Sequence, residues 1–140
     1  TSNAGWDTLA HREFLTGVTR RFHERGIRVS IFVDPVAAMV AGAKACGADR
    51  VELYTEAYAR EYHEDPVRAL APYVAAAEEA RRQGLGLNAG HDLSLENLRS
   101  YVERIPWTDE VSIGHALISD ALYYGLENTV QLYRRELKNL

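Results

Sequence analysis

One cysteine, Cys46, among 140 residues excludes any disulfide within the chain and suits a reducing compartment. Long apolar runs are missing too: none approaches the roughly 20 residues that a membrane span requires. No secretory pattern opens the sequence, so a cytoplasmic protein with no membrane partner is expected. Positive charge is not in excess. With 16 Lys and Arg against 20 Asp and Glu, the net charge is −4, which argues against a broad basic surface for nucleic acid. Any anion must then be held by local arrangement. No linker, low-complexity tract or charge block divides the chain, and residues 1–140 read as a single domain. His11, His23 and His63 fall among charges on helical or loop patterns and read as solvated. Their spacing from Cys46 matches no metal site.

What is present is an alternation of apolar runs and helical patterns. Trp6 to Arg25 is amphipathic at helical spacing and closes at Gly26. Ile27–Val33 reads as a buried strand, followed by Asp34-Pro35 as a helix cap and an Ala-rich helix from Val36 to Cys46. Arg50–Tyr54 is the second strand. Thr55–Tyr62 forms a loop or short helix, and Asp65-Pro66 opens a long helix that runs to about Gln83. Leu85–Ala89 is the third strand, with a helix starting near Ser94-Leu95-Glu96-Asn97. Val111–Ile113 is the fourth strand, and two helices split at Gly125 finish the chain. Strands alternating with helices call for an α/β fold with a parallel sheet. Such βα units make up half of a (β/α)8 TIM barrel, whose usual length is about 250 residues. Thr1-Ser2-Asn3-Ala4-Gly5 reads as a loop entering a helix, so the chain is expected to begin inside something larger.

Two near-twin segments carry the chemistry: Leu87-Asn88-Ala89-Gly90-His91 and Val111-Ser112-Ile113-Gly114-His115. Each is an apolar run ending in Gly-His at a strand's carboxyl end, where β/α proteins hold ligands. His91 reads as a general acid or base, or alternatively as a histidine bonding a loop backbone. Gly114 and His115 precede a helix whose first amides suit a phosphate; the plainer reading is a tight turn that needs glycine. If alternation puts Val51 and Leu53 under the helices, Glu52 and Tyr54 point into the barrel, Glu52 for catalysis or for an ion pair. Asp92 either orients His91 or precedes a cap at Ser94. Asp34 reads as a helix N-cap. Cys46 reads as packing, and so does the four-residue repeat of Tyr54, Tyr58 and Tyr62.

In order, Val29-Ser30-Ile31-Phe32-Val33-Asp34, Val51-Glu52-Leu53-Tyr54-Thr55, Gly86-Leu87-Asn88-Ala89-Gly90-His91 and Ile113-Gly114-His115-Ala116 resemble the C-terminal half of the pyridoxine 5′-phosphate synthases. The opening Thr1–Asp7 is similar to that family's loop after its fourth strand. The resemblance implies a cofactor-free, metal-free condensation of 1-deoxy-D-xylulose 5-phosphate with 3-amino-2-oxopropyl phosphate, releasing phosphate and water. It also implies the roles: His91 as proton donor, Glu52 as the carboxylate that stabilises the transition state, Gly114 and His115 as aminoketone phosphate contacts, and Thr1 at or beside a deoxyxylulose phosphate contact. Asp92 stands among the substrate-contacting positions, where the family usually has glycine. A carboxylate there would oppose phosphate. The family's His-Thr-Gly appears here as Tyr54-Thr55-Glu56. The implied partners are small phosphorylated substrates, the N-terminal half of the barrel and further copies in a homo-oligomer. One alternative is another phosphate-binding barrel, a lyase or isomerase that kept the strand-end glycines; the other is a non-catalytic relative, which Asp92 and Glu56 support best.

Overall fold

A computed structural model describes residues 3–137. Strands β1 (Ser30–Val33), β2 (Arg50–Tyr54), β3 (Gly86–Gly90) and β4 (Glu110–Ser112) form one parallel sheet in the order β1-β2-β3-β4. Helix α1 (Arg12–His23) precedes β1, and α2 (Ala37–Ala45) follows it. After β2 come α3 (Glu56–Glu61) and α4 (Pro66–Arg82), after β3 comes α5 (Leu98–Arg104), and after β4 come α6 (His115–Tyr124) and α7 (Leu126–Glu136).

Side-chain alternation divides the sheet into an apolar face and a polar one. Ile31, Val33, Val51, Leu53, Leu87 and Ala89 are buried in one core with Val40 of α2, Tyr58 of α3, Tyr73 and Ala76 of α4 and Tyr101 of α5. Complete burial of each Val or Leu contributes about 1.5–3 kcal/mol, which specifies the register of the inner strands. The other face carries Phe32, Arg50, Glu52, Asn88 and Glu110. Phe32, Glu52, Asn88 and Glu110 lie level with one another across the four strands. Toward the amino ends of the strands this face is laced with ion pairs. Arg50 Nη1 donates to Asn88 Oδ1 at 3.0 Å and meets Asp109 at 3.1 Å, and Arg28 reaches Glu110 at 3.0 Å across the breadth of the sheet. Toward the carboxyl ends it opens into the hollows described below.

Most boundaries match those expected from the pattern; the differences have local causes. Helix α1 starts at Arg12 rather than Trp6, because Trp6 N–H donates to the Phe32 carbonyl at 2.8 Å and lies along β1. The Asp7 carboxylate takes the Leu9 and Ala10 amides at 3.0 and 2.8 Å, making a turn before the helix. Asp34 is not an N-cap. Its Oδ1 accepts the Gly5 amide at 2.9 Å, tying the entering segment to the end of β1, and α2 begins at Ala37 without a side-chain cap. Asp65 does cap α4, accepting from the Val67 and Arg68 amides. Asn97 precedes α5, but its side chain serves the loop, accepting from Ser94 N–H and donating to the Asp92 carbonyl. The tyrosine repeat is not one stripe: Tyr58 is fully buried in α3, whereas Tyr54 ends β2 on the opposite, polar side. Cys46 is buried, as its apolar neighbours imply.

Strands β1 and β4 each have a single neighbour in the sheet. Apolar residues gather at both flanks. Leu9, Phe14 and Phe22 are exposed beside β1, and α6 buries no residue although it carries Ile118, Leu122 and Tyr123, with Leu122 83% exposed. No helix among the described residues is long and apolar enough to cross a membrane.

Candidate active site at the carboxyl ends of the strands

Glu52 occupies the middle of β2, aimed away from the helix-covered core because Val51 and Leu53 point into it. Removal from water pushes its carboxyl above the usual carboxylate range. His91 opposes that rise and Glu110 adds to it. Gly90 makes room for it. A Cβ there would strike the Ser112 carbonyl oxygen and stand 3.0 Å from Glu52 Oε1.

His91 follows immediately. Its φ of 68° makes it the one non-glycine residue with left-handed backbone among those described. Such a conformation is disfavoured for a side chain bearing a Cβ and persists only where the surroundings enforce it. Here the enforcement is visible. Thr55, fully buried at the end of β2, donates its hydroxyl to the Gly90 carbonyl and accepts the Asp92 amide at 3.2 Å, so it grips the chain on both sides of His91. The His91 amide itself donates to the Ser112 carbonyl at 3.0 Å. Asn97 Nδ2 holds the Asp92 carbonyl at 3.3 Å, and Tyr58 anchors Asn97 by donating to its carbonyl at 2.8 Å.

Around the imidazole, Asp92 Oδ2 lies 2.7 Å from Nδ1. The Tyr54 ring meets it edge-on at 5.6 Å and 87°, and the His115 ring lies 6.5 Å away. Desolvation, with the Asp92 and Glu56 carboxylates nearby, pushes the Tyr54 phenol up.

Two hollows meet at Glu52 and His91. One, of about 690 Å³, is lined by Gly5, Trp6, Asp7 and His11 of the entering segment together with Phe32, Glu52 and His91. The other, of about 500 Å³, is lined by Glu52, His91, Ser112, Ile113, Gly114 and His115. Helix α6 begins at the floor of the second with no side-chain cap, so its first-turn amides are of the kind that binds anions. The residues singled out in the sequence, Glu52, His91, Gly114 and His115, are thus brought to one mouth. Asp92 adjoins them through His91 but lines neither hollow. Thr1 lies outside the described residues. Among the described residues no His, Cys, Asp and Glu side chains gather in a way that could hold a metal ion.

Tyr54, aimed into the barrel by alternation with Glu52, meets the His91 ring as that reading implies. Thr55 and the opening segment enter the sequence analysis only through the family resemblance, because their places at the site arise from contacts with β3 and β1.

Glu56, the other departure from the family pattern, is engaged by Arg60 at 2.6 Å on the same helix.

The model of the family described as pyridoxal phosphate biosynthesis protein PdxJ matches residues 1–139. Among curated proteins, the pyridoxine 5′-phosphate synthase of Cytophaga hutchinsonii is 63% identical over 138 residues, covering 99% of this chain and 58% of that protein. Those of Bacteroides fragilis and Bacteroides thetaiotaomicron are 61% and 59% identical, with the same coverage. The chain therefore spans less than two thirds of these relatives' length. Among solved structures, an HMG-CoA lyase from Brucella melitensis superposes with a TM-score of 0.60 at 19% identity, over 91% of this chain and 48% of that one. At that identity the likeness speaks for the fold alone, and with the parallel βα order it marks the chain as half of a (β/α)8 barrel. By its sequence, from the first strand through the last Gly-His, the chain belongs to the PdxJ family of pyridoxal phosphate biosynthesis proteins.

Proposed function

We propose that this chain is the C-terminal half of a pyridoxine 5′-phosphate synthase barrel and supplies its proton donor and one of its phosphate sites. The reaction joins 1-deoxy-D-xylulose 5-phosphate to 3-amino-2-oxopropyl phosphate. The observation that carries the reading is the meeting of two hollows on one shared pair, Glu52 and His91. Two phosphorylated reactants need separate anchors and a common reacting centre, and this arrangement provides both.

In this reading the aminoketone phosphate sits on the amides around Gly114 and His115, at the uncapped start of α6. Main-chain amides hold it without requiring a basic surface, in keeping with a net charge of −4. The deoxyxylulose phosphate enters the hollow beside Trp6. Imine formation and dehydration demand proton delivery to carbonyl and hydroxyl oxygens, which His91 performs. Glu52, half-desolvated with its carboxyl pushed up, stabilises the positive charge that develops on nitrogen. Arg60 holds the Glu56 carboxylate on α3, away from either phosphate.

The remaining strands of the barrel are the obligatory partner, and the complete protein works as a cytoplasmic homo-oligomer; light scattering of the full-length protein tests the assembly. The decisive experiment is His91→Ala in the full-length protein. We expect kcat to fall by roughly 10²–10⁴-fold, the range for loss of a general acid or base, with KM for both substrates little changed. Undiminished kcat in that variant would overturn the assignment.

A further inference from the structure

We propose that Asp92 is a positioning residue for His91: its carboxylate fixes the imidazole with hydrogen on Nδ1 and reserves Nε2 for proton exchange with substrate. The inference rests on the reading of His91 as proton donor. It differs from a direct substrate contact at Asp92.

The geometry argues for it in three ways. Asp92 Oδ2 lies 2.7 Å from His91 Nδ1, the distance of a charge-assisted bond, and an ionised carboxylate only accepts. The hydrogen must therefore sit on Nδ1. Next, the carboxylate is not needed to hold its own loop. Thr55 takes the Asp92 amide, Asn97 Nδ2 takes the Asp92 carbonyl, and Asn97 Oδ1 takes the Ser94 amide. Among the described residues the Asp92 side chain bonds to His91 alone. Finally, His91 lines both hollows while Asp92 lines neither, so Asp92 stands behind the ring that faces them.

The groups facing the imidazole come from each element around it: Asp92 from its own loop, Glu52 and Tyr54 from β2, and His115 from α6. Of these, Asp92 is the one hydrogen-bonded to the ring. Thr55 holds the backbone in its left-handed turn while Asp92 holds the ring, so the donor is set before substrate arrives.

The test uses the full-length protein with 15N-labelled histidine, comparing wild type with Asp92→Ala. Nitrogen chemical shifts should show His91 carrying its hydrogen on Nδ1 in the wild type and mainly on Nε2 in the variant. Turnover should fall roughly 10–100-fold in kcat, with KM for both substrates held within about twofold. A wild-type His91 already carrying its hydrogen on Nε2 overturns the proposal without any variant. So does a variant whose KM rises while kcat is kept, which would make Asp92 a substrate contact. If the wild-type protein shows no synthase turnover, the functional reading fails, and the tautomer measurement still decides the role of Asp92.

Discussion

Glu52 is a carboxylate drawn partly out of water on a face it shares with Glu110. Because its carboxyl is raised, the folded protein binds that proton more tightly than the unfolded chain does. The resulting stabilisation is complete in acid, below the ordinary carboxyl range, and is lost as pH rises through the folded value. At neutral pH an ionised Glu52 is thus a cost. Glu52→Gln should stabilise the protein at pH 7, with the gain fading toward pH 4, while turnover falls by roughly 10²-fold. Urea titrations at the two pH values check the sign; a variant less stable than wild type at pH 7 would show the desolvation argument to be wrong. Gly90 is the complementary case. Gly90→Ala sets a methyl against the Ser112 carbonyl and Glu52, which should destabilise by about 1–3 kcal/mol and displace the carboxylate. Calorimetry that found no loss would mean that β3 and β4 yield at this point.

Between elements, the site depends on a buried hydroxyl. Thr55, directly after β2, joins that strand to the turn after β3 through the peptides that flank His91. Thr55→Val keeps the volume and removes both bonds, leaving buried polar groups unpaired at a cost of about 1–3 kcal/mol. Its signature should be local. Amide exchange in residues 90–92 should quicken far more than in the core of α4, and uniform exchange across the chain would count against the clamp. The long helix offers a contrast. Asp65→Ala removes a surface cap from α4 and should cost about 1 kcal/mol without touching turnover. Asp65-Pro66 was readable from sequence because a cap acts within three residues. Asp34-Pro35 has the same outward form, yet its carboxylate is claimed by Gly5, 29 residues away in the chain, and local pattern carries no trace of that.

Taken as one body, the described residues form a sheet in which β1 and β4 each pair with one strand, flanked by exposed Phe14 and Phe22 on one side and the exposed Ile118, Leu122 and Tyr123 of α6 on the other. Open parallel edges beside apolar helices are the surfaces that barrel closure covers. We expect the 140-residue chain alone to show no synthase activity and to gain it when joined to the remaining βα units of its relatives. Leu122→Glu, at the most exposed apolar part of α6, should weaken that assembly without altering the fold of this half. Turnover by the isolated chain would contradict the account.

The order of strands and helices, the inward aim of Glu52 and the Gly-His ends of β3 and β4 were settled by the sequence, because alternation, capping and strand-end position act over a few residues. Spatial closure decided the rest. That Asp34 serves the entering segment and that Thr55 grips the turn at His91 depend on groups brought together from separate strands, and the pairing of Asp92 with the His91 imidazole depends on the turn they hold. Nothing in their local sequence distinguishes them from ordinary loop residues, since their energies come from partners that only packing supplies.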